Sequence, residues 1–377
     1  MRTKRIAIIH PWMPQYRLGL FDLLENALSD EHVELDVYFG EPESDWALRG
    51  DNLESHPKWS GVPTSKVKIG SKTLFYKHLG NPAKFRKYDL VIVEHALRNL
   101  ETYSLFLVGV RVAFWGHGRT YTQPSSGIQE YLKLRLAKLG RWFFTYTRGG
   151  SDYITAHGYP LDRVTVLNNS FDSRNLEKQL AQITKRQADD FIRNELGEGT
   201  RIGLFLGALD KVKKISFLID ACSLVASLDP GFRLVVIGDG PLRSLVESEA
   251  WRRKWIIYKG PQFGEYKTLS LSCAHLLLVP GRLGLAAIDS FVSSVPIITT
   301  TDPFHPPEFE YLEDRINSRI VREVSSEYAD AILDSLRPEI QEVLREGCRQ
   351  SKETYTIASM VQRFRDGIIS ALEESSE

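Results

Sequence analysis

The sequence predicts an α/β protein organised as two domains, and three observations carry that prediction. The chain has 377 residues, more than one usual core organises. Short apolar runs alternate with stretches of helical periodicity along most of its length. The alternation restarts after residue 172, beyond a polar, charged segment. The expected division is therefore 1–172, then 173–350, with 351–377 as a C-terminal helix.

Composition narrows the class. Hydrophobic residues make up 42% and charged residues 25%, which is globular, and the formal net charge of +0 argues against general nucleic-acid binding. Cys222, Cys273 and Cys348 are scattered without a C-x-x-C spacing, so a reducing compartment is expected, with neither a metal site nor a disulfide framework. The N-terminal run MRTKRIAIIHPW is too short in apolar residues for a signal segment, and Leu105 to Trp115 is broken by Arg111 and falls short of a membrane span. A cytoplasmic protein is expected, at most resting on the inner face of the cell membrane.

In the first domain, Arg5 to His10 reads as a strand, and Pro11 and Pro14 stiffen the loop after it. Leu18, Phe21, Leu24 and Leu28 stand at helical spacing, and Val33 to Phe39 alternates like a second strand. Residues 41–64 read as a long functional or mobile loop. Asp89 to Glu94 and Arg111 to Trp115 are strands, 127–140 an amphipathic helix, and Trp142 to Tyr146 and Val164 to Leu167 further strands. The strand at 111–115 ends in Gly116-His117-Gly118-Arg119. A histidine between glycines, at a strand's carboxyl end, faces the ligand crevice of a doubly wound sheet, or else merely caps a turn.

Two stretches lack acidic residues. Ser55 to Tyr88 holds eight cations, from Lys58 to Lys87, interleaved with Trp59, Phe75, Tyr76 and Phe85. Between Glu130 and Asp152 lie Lys133, Arg135, Lys138, Arg141 and Arg148 with Trp142, Phe143 and Phe144. Basic residues mixed with aromatics (58–87 and 133–148) suit an anionic membrane surface; the alternative is a solvated face above core aromatics.

The second domain opens with a polar helix over 173–196. Ile202 to Leu206 is a strand ending in Gly207-Ala208-Leu209-Asp210-Lys211-Val212-Lys213-Lys214, and a helix with Phe217, Leu218 and Cys222 follows. Lysines just before a helix N-terminus add charge where the dipole is already positive, so an anion is expected nearby. Arg233 to Ile237 ends in Gly238-Asp239-Gly240-Pro241, which is not the spaced G-x-G-x-x-G fingerprint, so no nicotinamide cofactor is indicated. After a strand at Ile256 to Lys259, residues 276–300 form one βαβ unit. It comprises strand Leu276 to Val279, a loop with Gly281 and Gly284, a helix through Asp289, and strand Ile297 to Thr300. The helix start favours a diphosphate. Asp289, a carboxylate in an apolar stretch, is expected to meet ligand hydroxyls, the alternative being a solvent-facing side chain. A strand at Ser318 to Val321, helices over 325–350 and a helix at Tyr355 to Leu372 complete the chain.

These turns, in this order, resemble a GT-B glycosyltransferase of family 4, the glycosyl transferases group 1. The resemblance implies two Rossmann-like α/β/α domains facing each other across a cleft, the first binding the acceptor and the second the nucleotide-sugar donor, with the C-terminal helix packing back on the first, and transfer of a sugar with retention. It covers nearly the whole chain and is strongest over 201–320. Gly207-Ala208-Leu209 stands where the family has G-R-L, with Ala208 in place of the arginine. The lysine that holds the donor diphosphate falls on Lys213 or Lys214, and Lys213 is assigned the role; Lys211 or Arg282 would compensate for the missing arginine. Gly238, Gly240 and Pro241 match the glycine-rich turn. Asp289 takes the place of the second of two glutamates, which binds the ribose hydroxyls; Gly281 takes the place of the first. Gly284 and Leu285 fit the segment whose amides face the diphosphate or sugar. In the first domain, His117 falls near the sugar, and Asn169 and Asp172 match an N-G-x-D turn with Ser170 for the glycine. The first loop carries Tyr16 and Arg17 in place of a glycine pair, and these, with His117 and Arg119, are expected to meet the acceptor.

The resemblance thus implies a nucleotide-sugar donor, a saccharide or lipid-linked acceptor, no cofactor, no metal, and catalytic roles for His117 and Lys213. The expected setting is cell-surface polysaccharide or lipopolysaccharide synthesis. Two other readings keep the fold: a non-catalytic sugar-nucleotide-binding partner subunit, suggested by Ala208 and Gly281, and a nucleotide-sugar epimerase.

Overall fold

The structure is a computed structural model that describes residues 2–42, 56–70, 72–122, 124–197 and 200–374. The chain forms two compact units: Met1–Asp172 with Thr356–Glu377, and Ser173–Tyr355.

The first unit holds strands β1 (Lys4–His10), β2 (Val33–Phe39), β3 (Ser60–Gly61), β4 (Thr64–Ile69), β5 (Lys72–Lys77), β6 (Leu90–Glu94), β7 (Val112–Gly116), β8 (Phe143–Thr145) and β9 (Val164–Val166). Seven of them make a parallel sheet in the order β3-β2-β1-β6-β7-β8-β9. The chain runs outward from β1 to β3 and returns to β6 on the other side of β1. That reversal opens a crevice at the carboxyl ends of β1 and β6. Because side chains alternate along a strand, Ile6 and Ile8 join the core on one face, and Ala7 and Ile9 the core on the other. The first face is covered by helix Leu18–Ser29 and by the last helix, Ile357–Glu373. That last helix buries Ile357, Met360, Val361, Phe364, Ile368, Ala371 and Leu372. Each large apolar side chain so buried stabilises by about 1.5–3 kcal/mol. Gly367 lets it approach the sheet: a Cβ there would lie 2.3 Å from Thr165 Oγ1.

The second unit holds β10 (Arg201–Leu206), β11 (Phe232–Ile237), β12 (Ile256–Tyr258), β13 (Leu276–Leu278), β14 (Ile297–Thr300) and β15 (Ser318–Val321). They form a parallel sheet in the order β12-β11-β10-β13-β14-β15, so its reversal lies between β10 and β13.

Several elements differ from the sequence expectation. The polar helix over 173–196 is broken into Arg174–Gln182 and Lys185–Phe191, because Thr184 and Gln187 start a new helix with a capping box. The acid-free stretch contains an antiparallel hairpin, β4–β5, and helix Leu100–Leu107 was not foreseen. Part of the expected loop at 41–64, residues 43–55, lies outside the described residues. Among the described residues, no helix is long and apolar enough to cross a membrane.

The membrane-facing role of the interleaved aromatics is corrected. Trp59, Phe75, Phe85, Trp142, Phe143 and Phe144 are all buried in the core. Several cations of these stretches are also committed: Lys58 to Glu25 at 2.7 Å, and Lys77 to Glu101 at 2.6 Å in the interior. Exposed apolar residues occur elsewhere. Helix Gly127–Ala137 turns Ile128, Tyr131 and Leu132 to solvent beside Arg135, so it is not amphipathic toward the core. Val67 and Ile69 of the hairpin are exposed as well.

Candidate functional site

In the second unit, the loops after β10, β11 and β13 pack on one another at the carboxyl edge of the sheet. Gly207, Gly238 and Gly240 have φ of 147°, 151° and 154°, where a side chain is strained. Space is also missing: a Cβ on Gly238 would stand 1.8 Å from the Gly207 carbonyl oxygen, and one on Gly240 2.6 Å from that of Leu209. Leu209 N–H donates to the Asp239 carbonyl at 2.9 Å, and Leu242 N–H, just past Pro241, returns to Leu209 at 2.8 Å. Ala208 lies half-buried between these contacts.

Asp210 accepts the backbone N–H of Lys213 at 3.1 Å and so shapes the lysine loop. This loop is clasped to the one after β13. Arg282 N–H donates to the Val212 carbonyl at 3.0 Å, and Lys213 Nζ donates to the Arg282 carbonyl. Gly281 is the contact point: a Cβ there would lie 2.2 Å from the Val212 carbonyl oxygen and 2.8 Å from Lys213 Cα. Glycine at 281 is therefore required by the neighbouring backbone. Lys211 is exposed.

Lys214 is employed differently. It caps helix Ile215–Leu228 in the left-handed region, at φ 56°, and its Nζ is held by Asp302 at 2.6 Å and Glu323 at 2.7 Å. Gly284, at φ 52°, precedes Leu285, the N-cap of helix Ala286–Ser293. Among the described residues, the N–H groups of Gly284 and Leu285 meet no backbone acceptor, so they present donors at a helix start. Asp289, in the first turn of that helix, has a protein partner: Lys267 Nζ lies 3.0 Å from Oδ1 and 3.2 Å from Oδ2. Ligand hydroxyls were the expected partners of this carboxylate, and the structure adds Lys267 to them. No sequence signal pointed to Lys267.

In the first unit, a cavity of about 170 Å³ opens at the carboxyl ends of β1, β6 and β7. Trp12, Tyr16, Phe75, Trp115 and Tyr146 supply aromatic wall, and Arg17, Lys77, Arg98, Glu41 and Glu94 supply charge. Arg17 is only 3% exposed and donates through Nη2 to Asn169 Oδ1 at 2.8 Å. Its guanidinium carbon sits 5.2 Å from the ring centres of both Tyr16 and Trp115 and 5.8 Å from that of Tyr146. Asp172 packs at Gly19, where a Cβ would come within 2.8 Å of its own Cβ. The first loop and the 168–172 turn, joined by a bond that spans 152 residues of sequence, therefore meet here.

His117 stands edge-on to Tyr146 at 4.5 Å. Its side chain is accessible to solvent, so its desolvation is partial. That desolvation, with repulsion from Lys133, Arg17 and His95, lowers its proton affinity and keeps the ring neutral at pH 7. Arg119 is exposed and lies over the Tyr121 ring at 4.3 Å, away from the cavity wall. Below His117, His95 is buried, bonds through Nε2 to the Lys133 carbonyl at 3.0 Å, and is pushed down to about 4, first by burial. Trp115 and Tyr146 were missed as site residues, though both sit at predicted strand ends, one of them directly before the Gly-His-Gly run.

Residues 200–337 match the sequence profile of the family described as Glycosyl transferases group 1. That match falls within the second unit. Against curated proteins the chain finds no match. Among solved structures it is similar to Anabaena Alr3699/HepE in complex with UDP, at 12% identity and TM-score 0.69, covering 97% of this chain and 100% of that one. It is likewise similar to a glycosyltransferase from Rickettsia africae ESF-5, at 11% identity and TM-score 0.68, each chain covered at 100%. WaaG, a glycosyltransferase involved in lipopolysaccharide biosynthesis, matches at 14% identity and TM-score 0.64, with 96% and 98% covered. At these identities the likeness shows the fold, and that fold is GT-B.

Proposed function

We propose that this chain moves a sugar from a nucleotide-sugar donor to a saccharide or lipid-linked acceptor, with retention, in cell-surface polysaccharide or lipopolysaccharide-type synthesis. The observation that carries the reading is the clasp between Lys213 and the β13 loop. It fixes an ammonium group on the Arg282 carbonyl, two residues before Gly284, within the segment that matches the glycosyl transferases group 1 profile. Similar structures are described in complex with UDP and with UDP-glucose, which supports a nucleotide-sugar donor here. In this reading Lys213, Arg282 and the amides of Gly284 and Leu285 neutralise the leaving diphosphate without a metal, stabilising charge as the bond breaks. Asp289, oriented by Lys267, accepts from the ribose hydroxyls. Neutral His117 faces the sugar, and the acceptor enters along Tyr16 and Arg17, with Arg119 outside. The exposed apolar and basic face of helix Gly127–Ala137 rests on an anionic membrane on the cytoplasmic side.

Thermal-shift titration with UDP, GDP, ADP and CMP, with and without Mg²⁺, tests the donor half. Stabilisation by one nucleotide without metal, followed by labelled-sugar transfer to membrane extracts, is the expected result. Ala208 favours a second reading, a partner subunit that binds the nucleotide without turnover; binding with no transfer to any acceptor would select it. Gly281 lends that reading nothing, since the lysine loop occupies the space of a side chain there.

A further inference from the structure

We infer that the cavity of the first unit receives an oxyanion, so that the acceptor is an acidic saccharide, bearing a carboxylate or a phosphate, rather than a neutral one. The inference rests on the acceptor assignment of Tyr16 and Arg17 above and names the substrate class for that site. Its starting point is Arg17. This guanidinium is 3% exposed and lines the cavity. Among the described residues it forms no ion pair, and its Nε and Nη1 are buried with no hydrogen-bond partner. Among the described residues its one hydrogen bond goes to a neutral amide, that of Asn169. Three aromatic rings around it offer their faces, which stabilise a cation but do not cancel its charge. A buried cation without a counter-charge is costly, and a ligand anion would relieve that cost.

The other charges of the cavity are committed differently. Lys77 is paired with Glu101 at 2.6 Å; Glu94 accepts from the neutral Asn99 Nδ2 at 2.8 Å and so keeps its negative charge at the end of β6, outside ion-pair distance of Arg17. Glu41 is exposed. His10, beside Arg17, is driven to about 3 by burial and then by that same guanidinium, so it stays neutral and supplies a ring rather than a second charge. At the rim, Arg98 is exposed with its guanidinium carbon 4.8 Å from the centre of the Phe75 ring. The cavity is thus an aromatic slot with a cation at its base and another at its lip, suited to a sugar ring ending in an anionic group. At about 170 Å³ it holds one such residue, not a long chain.

Trp12 and Trp115 line the cavity, so tryptophan fluorescence of the full chain reads binding directly. The probes are glucuronate, glucose 6-phosphate, inorganic phosphate and glucose. Glucuronate or glucose 6-phosphate should quench with at least tenfold higher affinity than glucose, and the stronger of the two identifies the anion. Quenching by inorganic phosphate as strong as by either sugar would show an anion site without sugar selection, and would overturn the acceptor assignment. Arg17→Gln should lower the acidic-sugar affinity at least tenfold and leave glucose unchanged. Arg17→Lys, which keeps the charge, should retain most of the binding, and so should the exposed, distant Arg111→Gln. If Arg17→Gln does not fold, Arg98→Gln at the rim carries the test, with a loss of about threefold or more. Equal affinity for glucose and glucuronate, or unchanged binding in a folded Arg17→Gln, would overturn the inference. UDP binding measured on the same samples separates the two readings. Loss of the anion site with UDP binding intact sinks this inference alone, whereas acidic-sugar binding without any nucleotide binding sinks the donor reading.

Discussion

Replacing Gly281 by glutamate, the residue that the family resemblance would place there, should damage this protein rather than restore a contact. A Cβ at 281 would stand 2.2 Å from the Val212 carbonyl oxygen and 2.7 Å from the Lys213 carbonyl carbon. Those atoms are backbone, so the lysine loop must move as a whole. Overpacking of this kind costs about 1–3 kcal/mol. The Arg282 N–H bond to Val212, at 3.0 Å, would be lost with it, at about 1 kcal/mol. The sum is about 3 kcal/mol, and in a unit of this size each kcal/mol moves the midpoint by roughly 2–4 °C, so a fall of about 6–12 °C is expected. Lys213 would leave its seat on the Arg282 carbonyl, and affinity for the nucleotide should drop at least tenfold. Scanning calorimetry of the full chain and calorimetric titration with UDP measure both quantities. An unchanged midpoint together with tighter binding of donor sugar would refute the packing argument.

Four further outcomes are expected. Lys213→Ala should weaken nucleotide binding about tenfold or more while shifting the midpoint little, because the ammonium group lies partly exposed on the Arg282 carbonyl; equal affinity in a titration would remove Lys213 from the site. Glu101→Gln should cost about 3–5 kcal/mol in denaturant unfolding, since it strands the buried Lys77 charge; a loss below about 1 kcal/mol would show that water reaches the pair. Hydrogen bonds from Arg201 hold the Asp229 carboxyl below its ordinary range, so its contribution is present above roughly pH 3.9 and fades as pH falls through the lower folded-state value. The stability gap between wild type and Asp229→Asn should therefore close in acid, and a gap independent of pH from 7 to 2 would contradict it. Replacing Ile128 and Leu132 by serine should reduce sedimentation with anionic vesicles severalfold without lowering the thermal midpoint; unchanged sedimentation would leave that face without a membrane role.

Sequence by itself determined the repeated α/β pattern, because apolar runs and helical periodicity are local signals. It also determined the positions of the strand-end turns, where Gly207, Gly238, Gly240 and Gly284 stand at φ values that side chains avoid. The final helix was legible for the same reason: Ile357, Met360, Val361, Phe364 and Ile368 recur at its period. What each side chain at those turns does was decided only by tertiary structure. Lys213 and Lys214 are neighbours in sequence, yet one is held on a carbonyl of the β13 loop and the other is taken by Asp302 and Glu323. Asp289 found Lys267 on another helix, and Gly281 proved to be a contact of backbone with backbone. The aromatics of the basic stretches looked like surface anchors and became core: Phe143 and Phe144 lie on β8, while Trp59, Phe75, Phe85 and Trp142 are buried from the hairpin and the connecting segments. Arg17 gained its aromatic surroundings from Trp115 and Tyr146, more than ninety residues away. Local pattern fixes backbone conformation, but a charge acquires its partner across long sequence separations, and no period in the chain encodes which one it meets.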